Sequence, residues 1–187
     1  MDMSLLMMDR LILLGYVEGM TLGKLPLGSG ALLAAIVTSG LLAGVYYSYA
    51  ISVMPALSSF DDRTFVDVMN KINVVIVNPP FMLSFLGSVG FTVLAGAFYL
   101  KPAARPVLVV IGIGMALNIV SLVITSAINV PLNNQLGTAS TAGTPADPAT
   151  LRAQFESSWV RWNVIRALAN TAATAVLAWA LTLTARG

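Results

Sequence analysis

Apolar residues run along this chain in four long blocks, roughly Ser29–Leu57, Pro80–Leu100, Arg105–Asn129 and Val164–Thr184. Each is long enough to cross a hydrocarbon core of about 30 Å, which takes about 20 helical residues. The stretches between the blocks carry their own signals. Asp61 and Asp62 precede apolar positions Phe65, Met69, Ile72 and Ile76, whose spacing follows one face of a helix. This predicts a capped helix lying along, or dipping into, the membrane surface. Asn78-Pro79 and Asp147-Pro148 each pair a side-chain cap with a proline at the first helical position. From Pro148 to Thr184 nothing breaks the helix. At about 1.5 Å per residue it would be roughly 55 Å long, so it is expected to project several turns beyond the bilayer. Pro131 reads as the end of the third span, and Gly137–Ala149, "GTASTAGTPADPA", as a flexible connection. The predicted fold is all-α, a four-helix transmembrane bundle over residues 29–187 with an interfacial helix after the first span and a long fourth helix projecting outward.

Residues 1–28 are set apart as an N-terminal segment. Their apolar run "LILLGY" is short and is flanked by Asp2, Asp9, Glu18, Arg10 and Lys24, a poor match to a signal peptide. A modest apolar face at Leu5, Met8 and Ile12 predicts an interfacial or docking helix, with disorder as the alternative.

Composition strengthens the membrane reading. Hydrophobic residues make up 57% of the 187 and charged residues 10%, against about 45–50% and about 25% in soluble domains. Lys101 and Arg105 lie between the second and third spans, on the side of Arg10, Lys24 and Arg186. The positive-inside rule makes that side, and both termini, cytoplasmic in a multi-pass protein of the cell membrane. Arg63, Lys71, Arg152, Arg161 and Arg166 lie on the other side among five carboxylates, so the bias is moderate. A net charge of +2 with dispersed basic residues excludes a nucleic-acid partner. The chain has no cysteine and no histidine, which removes disulfides and the Cys- or His-based zinc, haem and iron–sulfur ligand sets. No cofactor is expected.

Polar residues inside the spans are the candidate chemistry, because they are expensive in lipid. Trp159, Trp162, Asn163, Arg166 and Asn170 fall on one stripe of the fourth helix, beside the small residues Ala169, Ala172 and Ala173. Asn118, Ser121, Thr125 and Asn129 form a facing stripe on the third, continued by Asn133 and Asn134. Tyr46 and Tyr49 share a face of the first helix near Pro55. The tryptophans alone fit an interfacial belt and the asparagines alone fit inter-helical glue. Together they predict a polar cluster of Asn129, Asn133, Asn163 and Arg166, with aromatic rings at hand for an apolar small-molecule ligand.

"VMPAL", "NVPLNNQL" and "WVRWNVIRA", which end the first span, end the third and open the fourth, resemble in that order the anthrone oxygenase-like membrane family, also known as domain of unknown function 1772. The resemblance runs from about Ala31 to Leu181. It implies a cofactor-independent oxygenase of an apolar aromatic substrate. Removal of a proton from an anthrone gives an enolate that can itself reduce dioxygen. In that reading Arg166, Asn163 and Asn129 hold the developing oxyanion, while Trp159, Trp162, Tyr46 and Tyr49 stack on the rings. Asp67, Glu156 or a tyrosine is the candidate base. The alternative is a non-catalytic accessory subunit of a larger membrane complex, such as a lipid or solute transporter, with lipid and membrane proteins as partners. Transport by this chain alone is disfavoured, since no carboxylate lies within a span.

Overall fold

Five helices, α1 to α5, account for most of residues 26–141 and 147–184, the part of the chain that the computed structural model describes. α1 comprises Leu27–Ser48, a π-helical turn Tyr49–Val53 and Met54–Ser58. α2 is Asp62–Val75 and α3 is Pro79–Phe98. A 3₁₀ turn Pro102–Ala104 leads into α4, which comprises Arg105–Ile124, a second π-helical turn Thr125–Asn129 and Val130–Thr141. α5 is the 37-residue helix Pro148–Thr184. The N-terminal segment with Arg10 and Lys24, the C-terminal Arg186 and the middle of the Gly137–Ala149 connection lie outside the described residues.

The local signals act as their chemistry predicts. Asp61 Oδ1 accepts from the Thr64 amide at 3.0 Å, Asn78 Oδ1 from Phe81 at 3.0 Å and Asp147 Oδ2 from Thr150 at 3.2 Å. Each cap satisfies an amide that the first helical turn leaves without an acceptor. α1, α3, α4 and α5 each contain a stretch long and apolar enough to cross a bilayer, and the chain is a multi-pass membrane protein. α1 packs on α3 and α5, α4 packs on α5, and α3 touches α4.

Two expectations about helix ends need correction. Pro131 does not end the third span, which runs straight through it as α1 does through Pro55, and Gly137–Thr141 is helical rather than flexible loop. A proline inside a helix lacks an N–H and its ring crowds the carbonyl four residues back. Here each proline is preceded by a π-helical turn, in which Met54 N–H reaches the Tyr49 carbonyl and Val130 N–H the Thr125 carbonyl. Each wider turn relieves the crowding and shifts the register by one residue. α4 therefore accompanies α5 past the level of the bundle, so the long fourth helix does not project alone.

Beyond the bundle, at the end away from Lys101 and Arg105, these extensions and α2 build a headpiece. Its core contains Met54, Leu57, Phe65, Met69, Leu136 and Phe155. Phe65 and Met69 are fully buried, so the first turns of the apolar face of α2 are covered by protein, while Ile72 and Ile76 are half-buried. Arg152 of α5 clamps this assembly. Its guanidinium donates to the Ser58 and Phe60 carbonyls at 2.9 and 3.0 Å, pairs with Asp62 and Glu156, and lies 4.7 Å from the Phe65 ring centre. It closes the end of α1 onto the start of α2.

At the opposite end small residues bring the helices close, around Leu32, Ala35, Ala95, Ile111, Leu177 and Ala180. The tightest approach is at Gly114, where a Cβ would stand 2.7 Å from Leu177 Cγ, a side chain that is itself fully buried. Gly114→Ala is expected to destabilise the α4–α5 contact by about 1–3 kcal/mol through overpacking. Thermal unfolding in detergent measures it, and an unchanged midpoint would contradict the packing described.

Candidate functional site

The polar stripes of α4 and α5 face each other, and they separate into two levels with different chemistry. At the lower level Asn118 Nδ2 donates to Ser39 Oγ at 3.0 Å and to the Ser88 carbonyl at 3.1 Å. Asn118 Oδ1 accepts from Asn170 Nδ2 at 3.1 Å, and Asn170 Oδ1 accepts from Ser121 Oγ at 2.5 Å. Ser39 lies on α1, Ser88 on α3, Asn118 and Ser121 on α4 and Asn170 on α5, so one closed knot ties all four spans. Asn118, Asn170, Ser39, Ser88 and Ser121 are buried. Here the asparagines are glue.

Toward the headpiece the pairing opens into a cavity of about 810 Å³ between the bundle and α2. Arg166, only 4% exposed, stands in its wall. The guanidinium donates from Nη2 to Asn163 Oδ1 at 3.0 Å and from Nη1 to Thr125 Oγ1 at 3.2 Å. Its carbon lies 4.2 Å from the Tyr46 ring centre and 5.6 Å from that of Trp159. Among the described residues it forms no ion pair. A cation this deep is held by neutral dipoles and ring faces alone.

The surrounding amides are fixed in orientation by what they already bind. Asn163 Nδ2 donates to the Tyr46 carbonyl at 2.9 Å while its oxygen takes Arg166, so Asn163 is fully engaged and positions the guanidinium. Asn129 Nδ2 donates to the Trp159 carbonyl at 3.3 Å, which leaves its oxygen toward the cavity. Trp159 Nε1 donates to Asn133 Oδ1 at 2.8 Å, and the Trp159 ring meets Tyr49 at 5.6 Å between centres. Both π-helical turns contribute to the wall, through Tyr49 on α1 and through Thr125 and Asn129 on α4.

Four buried side-chain polar atoms of the described residues have no partner: Tyr46 Oη, Asn73 Nδ2, Asn129 Oδ1 and Arg166 Nε. All four belong to residues lining this one cavity. Native interiors rarely leave such groups unmade, and concentration in a single cavity points to a ligand or bound water there. The cavity thus offers donors from Arg166, Tyr46 and Asn73 and an acceptor from Asn129, within a mostly apolar wall that includes Phe81, Ile72 and Val77.

Seven of the residues singled out from the sequence converge here: Tyr46, Tyr49, Asn129, Asn133, Trp159, Asn163 and Arg166. Trp162 does not. It is half-buried outside the cavity, with the Arg161 guanidinium 5.8 Å from its ring centre. Three positions along α5 set Trp162 about 60° round the helix from Trp159, at the edge of the stripe and out of the cavity wall. In Asn129 the atom without a partner is the acceptor Oδ1. Asp67 is exposed and 3.9 Å from Arg63, Glu156 is bonded to Arg152, and neither lines the cavity. Asn70 and Asn73 of α2 line it without having been singled out. Their i, i+3 spacing on the flank of the α2 apolar stripe was the available signal, and it reads equally well as a solvated face.

A family model described as anthrone oxygenase matches residues 79–176, which takes in α3, α4 and most of α5. "NVPLNNQL" and "WVRWNVIRA" lie inside this match; "VMPAL", Tyr46, Tyr49 and α2 lie outside it. Neither the curated proteins nor the solved structures yield a match.

The two levels should respond differently to substitution. Asn118→Leu strands the polar groups of Ser39 and Asn170 inside the bundle and is expected to cost about 1–3 kcal/mol. Asn129→Leu removes an oxygen that has no partner and should shift the unfolding midpoint less. The reverse order would show that the lower knot is not what holds the spans together.

Proposed function

Because the chain belongs to the anthrone oxygenase family, we propose that its cavity binds a flat, mostly apolar aromatic ketone and oxidises it with dioxygen without a cofactor. The observation that carries this reading is Arg166, a buried cation with no ion pair among the described residues, in the wall of a cavity lined by Tyr46, Tyr49 and Trp159 and by no carboxylate. Such a site favours a ligand that becomes an anion over one that stays neutral.

The chemistry follows from the substrate. With its carbonyl oxygen at Arg166 Nε, an anthrone loses a methylene proton more readily, because the enolate oxygen meets a positive charge already in place. The lining residues include no carboxylate or imidazole, so the methylene proton passes to water, and the peroxide anion formed later takes one back. The enolate passes an electron to dioxygen and the two radicals combine to form a C–O bond. The resulting hydroperoxide loses water across its C–H and O–O bonds. One oxygen atom ends as the new carbonyl and the other as water, so the four electrons dioxygen accepts all come from the methylene carbon. Asn163 contributes by holding Arg166, and the rings of Trp159 and the tyrosines keep the substrate flat.

Addition of anthrone to the purified protein is expected to give dioxygen uptake above the rate of a protein-free control. Arg166→Gln should lower that excess by at least about a hundredfold, as for loss of an oxyanion donor, while the variant remains folded by thermal unfolding. Uptake that survives Arg166→Gln would remove the arginine from the reaction. No uptake from the wild-type protein, with stoichiometric membrane proteins retained through gentle purification, would make the chain an accessory subunit instead.

We also propose that the headpiece and its cavity face outward, with the Lys101–Arg105 turn in the cytoplasm of the cell membrane. The chain lacks cysteine, so single cysteines report cleanly. Ala149→Cys is expected to react with an impermeant maleimide applied to intact cells, and Ala103→Cys only after permeabilisation. The opposite pattern would invert the topology.

A further inference from the structure

Three of the four unpartnered atoms belong to one neighbourhood. The Tyr46 ring lies against the Arg166 guanidinium, and Asn129 is bonded to the backbone of Trp159, whose ring also faces that guanidinium. The fourth, Asn73 Nδ2, stands apart on α2. Its neighbour one turn back, Asn70, donates to Ser140 Oγ at 2.8 Å, and Asn70 Oδ1 is 3.7 Å from where a Cβ on Gly137 would stand. Asn70 is therefore spent on fastening α2 to the far end of α4, whereas Asn73 is not. Thr125, which holds Arg166, and Gly137 both line the cavity. Twelve residues separate them along α4, about 18 Å at about 1.5 Å per residue. The cavity wall thus runs along α4 from Thr125 to Gly137, and Asn73, with its unanswered amide donor, stands in it one turn of α2 from Asn70.

We propose that Asn73 is a second recognition residue, donating from Nδ2 to a second oxygen of the ligand, away from the ketone held at Arg166. The site then selects flat aromatic ketones that carry a further oxygen on an outer ring. This deepens the reading of the cavity as an aromatic-ketone site and rests on it for the placement of the first oxygen at Arg166. It makes α2, outside the matched family region, the element that sets specificity. The side chains of Val74 and Val77, which flank Asn73 in the cavity wall, offer its amide no acceptor. In such surroundings a site built to donate a hydrogen bond discriminates strongly against a ligand that lacks the acceptor.

The test uses two product-shaped probes, 9,10-anthraquinone and 2-hydroxyanthraquinone, titrated onto the full-length protein in nanodiscs. Binding is read by quenching of tryptophan fluorescence, with Trp159 in the cavity wall. The wild-type protein should bind the hydroxylated probe about tenfold or more tightly than the plain quinone. In Asn73→Leu and in Asn73→Asp, which keeps the size but loses the donor, that preference should vanish while the plain quinone binds as before. Asn70→Ala serves as the structural control and should lower thermal stability without changing the preference. An equal preference in wild-type and Asn73→Leu protein would mean that the amide is satisfied by water only, and would overturn the proposal. So would the absence of saturable binding of either probe to the wild-type protein. Loss of the preference in Asn73→Leu, together with no dioxygen uptake on any anthrone, would leave the recognition role standing and defeat the oxygenase reading alone.

Discussion

A guanidinium buried at the upper level of a membrane bundle, with no carboxylate to neutralise it, is the constraint around which the rest of this structure is arranged. Moving one charged group away from water costs several kcal/mol even after relaxation, and Arg166 recovers that through Asn163, Thr125 and the faces of Tyr46 and Trp159. Each of those partners is then held by something else. Asn163 is anchored on the α1 backbone, Trp159 on Asn133, and the Trp159 carbonyl on Asn129. The arginine fixes the relative placement of α1, α4 and α5 at this level, and the cavity is the space this arrangement leaves.

The contrast with the lower knot separates structure from recognition in a bundle whose polar residues all look alike. Around Asn118 and Asn170 the amides are answered by hydroxyls or by backbone on neighbouring helices. About three turns along α4, from Asn118 to Asn129, the same residue types leave atoms open. The π-helical turns at Tyr49–Val53 and Thr125–Asn129 mark that transition on two helices, each separated by one residue from a single proline that the helix then absorbs. Such irregular turns re-aim side chains without ending the helix, which is what a wall with inward polar groups needs.

Spans, caps and the facing stripes were legible in the sequence because each depends on local chemistry: apolar length, an oxygen three residues before an amide, a polar repeat on one helix face. The passage of α1 and α4 through Pro55 and Pro131 was not, because the compensating π turn has no composition of its own. Trp162 was grouped with Trp159 on spacing alone, yet only Trp159 finds a partner for its Nε–H inside the site. Asn73 was invisible for a different reason. Its significance comes from what α2 packs against, the extended end of α4, and that pairing joins residues 70 positions apart. The split of the polar stripes into an answered and an unanswered level likewise requires knowing which hydroxyls on α1 and α3 arrive at Asn118.

The open atoms around Arg166 also carry a consequence for the life of the protein in its membrane. A molecule that answers them binds the folded chain and has nothing equivalent to bind in the unfolded one, so occupancy adds to stability by mass action. Empty, the bundle keeps an imperfectly compensated cation and several idle dipoles at the junction of headpiece and spans. Quality-control proteases act on the fraction of molecules that open. On the proposed reading of the cavity, the abundance of the protein would rise with the supply of the ligand.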